Sequence, residues 1–173
     1  MPCYPDFDHV GEEIRPAGAP PVTPNPAGST FSMTSEAEHL LRLRKWLREE
    51  LAGHGVSKQE QPNLLLAVGE LCANSIQHAY EGKGGQPIKV SVRSSDDSLV
   101  IEVEDFGKPF NSEGYEAPNL EAMPESGYGI FLVKTIADSL SFDVARERGT
   151  RWTMVKYRPG RGPAAAPGPA GKS

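Results

Sequence analysis

Three polar residues of types common in active sites lie four positions apart in the middle of the chain. Glu70, Asn74 and His78 belong to the segment GELCANSIQHAYEG. A helix turns by about 100° per residue, so these side chains would be stacked on one face of a helix whose other face is apolar. An acid, an amide and an imidazole would then share the polar face of this helix. The same pattern is also typical of an ordinary solvated face.

Two further segments contain residues suited to binding a phosphorylated ligand. EVEDFGKPF ends a predicted strand with Asp105, which can accept a hydrogen bond from an amine, and Gly107 follows where a ligand must approach the backbone. Gly127 and Gly129 precede a predicted helix in ESGYGIFLVKTIAD, where free backbone N–H groups and the helix dipole favour an anion. Taken singly, the first segment favours an Asp-x-Gly turn, and the second is also consistent with a flexible hinge at the end of a loop.

A last candidate precedes the final predicted strand, in RGTRW. Thr150 offers a hydroxyl there, although Gly149 and Thr150 also suit a plain hairpin turn. None of the glycine segments has the form of a P-loop or of a dinucleotide-binding fingerprint.

Composition excludes several classes of function. The chain has 173 residues and a net charge of −5, which argues against nucleic acid as the main partner because phosphate backbones require a basic surface. No apolar run approaches the roughly 20 residues of a membrane span, and the N-terminus does not have the pattern of a secretory signal. Two distant cysteines and four scattered histidines form no zinc spacing. A cytoplasmic protein is therefore expected.

The distribution of proline and glycine predicts three parts. Residues 1–30 and 158–173 are rich in these residues and read as a flexible lead-in and a disordered tail, which leaves a core at 31–157. Within the core, periodicity predicts two helices, two strands, a long loop, a third helix and two strands, after a short strand at 31–33. This order favours an α+β fold, a mainly antiparallel sheet with helices on one face.

Local signals place the boundaries of these elements. Ser35 and Glu38 resemble a capping box for the first helix, and Ser57 with Glu60 precedes a second helix that should begin near Gln61. The remaining predicted elements are a helix at 130–140 and strands at 88–94, 98–105, 141–147 and 150–157.

Together, these segments resemble the ATP-binding domains of the GHKL superfamily. ELCANSIQHAY is similar to the N box of that superfamily, DFGKP to its first glycine box, GYGIFLVKTIAD to its second, and the GT before the last strand to its third. GELCANSIQHAYEG and EDFGKPF look more narrowly like the anti-sigma factor serine kinases of the RsbW type. The resemblance covers about residues 31–157 and implies the Bergerat fold, a two-layer sandwich.

The resemblance also implies a role for each candidate residue. Glu70 would be the general base or would orient the attacking hydroxyl, and Asn74 would coordinate Mg2+ bridging the phosphates of ATP. Asp105 would bind the adenine amino group. His78 would support the metal site or pack under a lid. The other implied nucleotide-binding residues are Gly107, Gly127, Tyr128, Gly129 and Thr150.

One departure from the expected pattern concerns the charge near the γ-phosphate. A cation there is expected to help phosphoryl transfer. The predicted lid, residues 111–126, contains four glutamates and no Lys or Arg, so Lys108 and Lys134 are the nearest candidates in sequence. A partner could also supply the charge, or catalysis could be weak.

Four functions follow from these observations. The first is an ATP-dependent serine/threonine kinase that phosphorylates an anti-sigma factor antagonist and sequesters a sigma factor, with a homodimer expected by resemblance. The second is a catalytically weak nucleotide-dependent binding switch. The third is the ATP-binding domain of a histidine-kinase-like regulator, and the fourth is a purely structural interaction domain.

Overall fold

The computed structural model describes residues 28–111, 128–144 and 148–162. The strands are β1 (Ser29–Thr34), β2 (Pro87–Ser94), β3 (Ser98–Asp105), β4 (Ser139–Asp143) and β5 (Arg151–Tyr157), and the helices are α1 (His39–Gly53), α2 (Gln61–Asn74) and α3 (Tyr128–Ile136). A π-helical turn, Ser75–Ala79, directly continues α2.

The strands form one sheet in the order β1-β2-β3-β5-β4, and every neighbouring pair is antiparallel. Alternation along the strands gives the sheet two different faces. Val90, Val103 and Trp152 lie side by side on the buried face. The other face is charged, with Glu102 and Glu104 paired to arginines of the neighbouring strands. The predicted α+β fold with a mainly antiparallel sheet is confirmed.

Leucines at helical spacing attach the helices to the buried face. Leu43, Leu47 and Leu51 follow one another at every fourth position of α1 and are almost completely buried. The apolar side of α2 packs into the same core. The buried residues of α2 are Leu64, Leu65, Ala67, Val68, Leu71 and Cys72.

The capping box predicted at Ser35 and Glu38 is wrong. The α1 helix begins at His39, and no side-chain cap is formed by Glu38. The Ser35 hydroxyl instead donates to the Lys83 carbonyl at 2.6 Å and accepts from the Gln86 N–H at 3.1 Å. The loop before β2 lies against the segment between β1 and α1. Its backbone groups therefore hydrogen-bond the Ser35 hydroxyl, which is then not available to cap the helix.

The predicted start of the second helix near Gln61 is confirmed, whereas its N-cap residue, Glu60, forms no side-chain cap. The Ser57 hydroxyl accepts the Glu60 N–H at 3.3 Å and donates to the Glu60 carboxylate at 2.6 Å. Regular helix begins at Gln61, with a proline in its first turn, where the missing N–H has no helical partner to lose.

The boundary between α3 and β4 differs from the prediction. The helix ends at Ile136 rather than at residue 140, and β4 begins at Ser139 rather than at residue 141. The carboxylate of Asp138 accepts the Tyr157 N–H at 2.7 Å and the Lys156 ammonium at 2.8 Å. These contacts attach the chain to β5 early, so strand pairing starts where helical periodicity alone would continue the helix. No helix in the described ranges is long and apolar enough to cross a membrane.

Candidate functional site

Asp105 lies at the end of β3 on the helix-facing side and is only 2% exposed. One carboxylate oxygen, Oδ1, accepts the backbone N–H groups of Gly107 and Thr150, both at 3.2 Å. The other, Oδ2, accepts the Ser75 hydroxyl at 2.8 Å. Burial raises the pKa of Asp105, and the three donors act in the opposite direction. We refer to Ser75, Asp105, Gly107 and Thr150 as the Asp105 cluster.

Thr150 reaches this cluster through the pairing of β3 with β5. Its carbonyl accepts the Asp105 N–H at 3.0 Å, and its hydroxyl accepts the Phe110 N–H at 2.9 Å. Gly149, just before it, has a φ of 82°, and a methyl group there would lie 2.0 Å from the Asp105 carbonyl oxygen. Only glycine therefore fits at position 149. The GT pair predicted to belong to the site does contact the predicted Asp105.

The π-helical turn brings the end of the α2 segment against the first glycine box. The Ala79 carbonyl, on this turn, accepts the Lys108 N–H at 2.9 Å. A methyl group on Gly107 would lie 2.3 Å from that same carbonyl oxygen. The close approach of two backbones explains why glycine is needed at this position.

Tyr80 makes a second connection between the same two segments. Its buried hydroxyl donates to the Pro87 carbonyl at 2.5 Å and accepts the Phe106 N–H at 2.7 Å. Burial raises the pKa of the Tyr80 hydroxyl. The backbone that follows Asp105 is thus held by groups from the π-helical turn and the residue after it.

Glu70 and Asn74 meet the second glycine box at the start of α3. A methyl group on Gly129 would lie 2.9 Å from Glu70 Oε2 and 3.5 Å from Asn74 Nδ2. Asn74 Nδ2 is buried and has no hydrogen-bond partner among the described residues. Because an unpaired buried amide is costly, this N–H group has unused capacity to donate to an acceptor atom of a ligand. We refer to Glu70, Asn74 and Gly129 as the Asn74 cluster.

Some predicted site residues are not brought into either cluster. His78 lies on the π-helical turn and is exposed, and its role stays a prediction. Gly127, the Tyr128 side chain and residues 112–126 of the predicted lid fall outside the described residues. Of the two candidate cations, Lys108 forms an ion pair with Glu81, and burial lowers the pKa of Lys134 on α3.

An open groove of about 440 Å³ adjoins the Asp105 cluster on its Gly107 side. Phe106 and Tyr80 contribute aromatic surface to it, and Lys83, Lys108 and Arg148 contribute positive charge. Neither Glu70 nor Asn74 lines this groove.

The donors of the Asn74 cluster fit a metal ion that is held largely by phosphates. Among the described residues there is no group of three or more His, Cys, Asp or Glu suited to a metal. Mg2+ typically uses one or two protein oxygens together with water and substrate phosphates. The Asn74 amide provides one oxygen of that kind, and Glu70 beside it stays free of that role.

Sequence reasoning missed two residues of the site, Ser75 and Tyr80. Ser75 is a polar residue on the apolar side of the helix, one turn after Leu71 and Cys72, and that mismatch was a detectable signal. No comparable signal was present for Tyr80, because its partners are backbone groups of Phe106 and Pro87, which a side-chain pattern does not report.

Residues 33–156 match the histidine kinase-like ATPase domain. The chain belongs to this family. It is 32% identical over 137 residues to the serine-protein kinase RsbW of Bacillus pumilus, covering 73% of this chain and 83% of that protein. It is 28% identical over 136 residues to RsbW of Listeria innocua, covering 74% and 85%. The resemblance to the GHKL superfamily and to the RsbW type is confirmed.

A solved structure has the same fold. The structure of the RsbU and RsbW domains of Rv1364c from Mycobacterium tuberculosis matches with a TM-score of 0.56 at 18% identity. The match covers 79% of this chain and 34% of that chain. It supports the predicted GHKL sandwich.

Proposed function

We propose that this chain is an ATP-dependent protein serine kinase that phosphorylates an anti-sigma factor antagonist and sequesters a sigma factor. The observation that carries this proposal is the meeting of Glu70, Asn74 and Gly129 in one cluster, in which the Asn74 amide nitrogen is buried and has no partner among the described residues. The names of the relatives support the class of substrate. A homodimer in the cytoplasm is part of the same proposal.

The Asp105 cluster would bind the base. Asp105 Oδ2 accepts one hydrogen bond from Ser75 and retains lone-pair capacity for the amino group of adenine. Gly107 beside it lines the adjoining groove. Because three protein donors already orient the carboxylate, little reorganisation is needed when the base binds.

The Asn74 cluster would hold the reacting groups. When bound, Mg·ATP supplies the γ-phosphoryl group and the positive charge that offsets its oxygens. Asn74 provides an amide oxygen for the metal, and Glu70, one turn earlier, accepts the proton of the attacking serine hydroxyl. Placing both on one helix holds them at a fixed separation, and phosphoryl transfer depends mainly on such positioning.

The first test is a titration with ATP and ADP, each with and without Mg2+. The wild type should bind both nucleotides, and Asn74→Ala should lose the Mg2+ dependence of binding. Asn63→Ala, an exposed amide on the same helix, is the matched control and should retain it. Absence of nucleotide binding by the wild type at millimolar concentration would refute the proposal.

The second test measures phosphoryl transfer to candidate antagonist proteins. Glu70→Gln should bind nucleotide within about threefold of wild type but transfer phosphate at least about 100-fold more slowly, the usual loss for a general base. Glu49→Gln on α1 is an exposed control. Equal transfer rates for Glu70→Gln and wild type would show that Glu70 is not the general base.

A second candidate function is a nucleotide-dependent binding switch with weak catalysis. The ion pair between Lys108 and Glu81 favours it, because one of the two cations nearest in sequence already has a partner. Nucleotide binding with no transfer to any antagonist would distinguish this switch from the kinase.

A further inference from the structure

We propose that Ser75 is a positioning residue for adenine recognition: its hydroxyl fixes the Asp105 carboxylate in the orientation that accepts the amino group of the base. This inference rests on the proposed function and assigns a role to a residue that the mechanism above does not need for chemistry. Ser75 is 3% exposed and is the first residue of the π-helical turn.

The hydrogen bonds around Asp105 are unequally divided between its two oxygens. Oδ1 accepts two backbone N–H groups, whereas Oδ2 accepts only the Ser75 hydroxyl. A carboxylate oxygen has two lone pairs, so Oδ2 is the oxygen with capacity for an additional donor. Ser75 is also the only donor from the described residues that holds this oxygen in place. Without it, the carboxylate would be held through Oδ1 alone and could rotate.

The contact with Asp105 is not required to satisfy the serine itself. The Ser75 hydroxyl lies 3.2 Å from the Leu71 carbonyl, the usual acceptor for a serine inside a helix. It lies closer to Asp105, at 2.8 Å. A hydroxyl has one proton, so the shorter contact, to Asp105, is favoured. The hydrogen bond between Ser75 and Asp105 therefore matters more for orienting the carboxylate than for satisfying the hydroxyl.

Ser75 also connects the two clusters through adjacent residues. Asn74 lies beside Gly129, and the next residue contacts Asp105. Two adjacent residues thus provide the amide of the proposed phosphate site and the hydroxyl of the proposed adenine site. A change at Ser75 should therefore alter base recognition while leaving the phosphate contacts in place.

The test compares ADP with purine riboside 5′-diphosphate, which lacks the 6-amino group and is otherwise the same ligand. Wild type should bind ADP more tightly. In Ser75→Ala the ratio of the two dissociation constants should fall by at least about fivefold, the size of one hydrogen bond. Binding of purine riboside 5′-diphosphate itself should change by less than about twofold.

Two controls separate positioning from general damage. Ser98→Ala removes another buried serine, at the opposite end of β3, and should leave the ratio unchanged. In an Asp105→Asn background, Ser75→Ala should have no further effect on the ratio, because the two changes act on one interaction.

The outcomes distinguish the inference from the proposed function. Suppose that wild type prefers ADP, and that Ser75→Ala keeps this preference while it weakens the binding of both diphosphates equally. Ser75 is then merely structural and the inference is overturned. If wild type binds neither diphosphate, the proposed function fails and this inference fails with it. A selective loss of the preference supports the inference.

Discussion

The Asp105 cluster and the Asn74 cluster differ in how their polar atoms are satisfied. Both oxygens of Asp105 accept protein donors, and the flanking backbone is bonded to Ala79 and Tyr80. In the Asn74 cluster, by contrast, a buried amide nitrogen has no partner in the described ranges. The first cluster is therefore also part of the folded framework, whereas the second has polar capacity left for a ligand.

The difference has a physical basis in the ligand that each cluster is proposed to bind. An adenine ring makes few hydrogen bonds, so its site benefits from groups that are already fixed before binding. Phosphates and a metal ion carry strong charges and can order a site whose polar groups have fewer protein partners. Substitutions in the two clusters should accordingly affect stability and binding in different proportions.

The largest difference is expected between Gly107→Ala and Gly129→Ala. At Gly107 the new methyl group meets the Ala79 backbone, which cannot move without disturbing the helix end, so stability should fall by about 3 kcal/mol. At Gly129 its nearest neighbour is the flexible Glu70 side chain, and the loss should be about 1 kcal/mol or less. Urea denaturation of both variants measures this difference.

Gly53→Ala is the control for the glycine substitutions, because nothing lies within 4 Å of its added methyl group. It should leave stability unchanged or slightly higher. Equal destabilisation by Gly107→Ala and Gly129→Ala would contradict the distinction between a framework cluster and a ligand cluster.

An intermediate effect is expected for Tyr80→Phe. The change removes the partner of the Phe106 N–H and of the Pro87 carbonyl, so the free energy of unfolding should fall by about 2 kcal/mol. Tyr157→Phe is a suitable comparison, since the Tyr157 hydroxyl makes no hydrogen bond within the described part of the chain. Chemical denaturation at pH 7 measures both, and similar values would show that the Tyr80 hydroxyl does not brace the cluster.

The smallest effect on stability is expected for Asp105→Asn, despite its burial. The amide oxygen can still accept from Gly107 and Thr150, and its NH₂ group can donate to Ser75, whose proton can turn to the Leu71 carbonyl. Because burial raises the pKa of Asp105, replacing the carboxylate should change stability at pH 7 by about 1 kcal/mol or less, and upward if at all. Adenine preference should nevertheless be lost.

The pH dependence of this pair provides a separate check. A carboxyl whose pKa is raised by folding contributes stability that is complete below its unfolded pKa, near 3.8, and is lost as pH rises through the folded value. Wild type should therefore lose stability relative to Asp105→Asn as the pH rises above about 4 through the folded pKa. A constant difference across that range would argue that the carboxylate carries no net cost of burial.

Much of the secondary structure followed from local pattern. The third strand occupies Ser98–Asp105 as predicted, because its valines and isoleucines fit a buried sheet and turn residues precede it. The end of α3 was mispredicted because apolar periodicity continues past Ile136, and the Asp138 contacts that start β4 come from a different strand. Ser35 was mispredicted for a similar reason, since its partners lie about 50 residues away.

What the sequence determined by itself is the set of elements and the residue types placed at their ends. Glu70 and Asn74 lie one turn apart because helical geometry is local, and this was readable from their spacing. Tertiary structure alone decided which ends meet. Asp105 contacts Thr150, 45 residues away, through the register of β3 and β5, and it contacts Ser75 because the π-helical turn lies over the end of β3. Long-range register and a local change of helix type depend on packing of the whole core, which no single segment encodes.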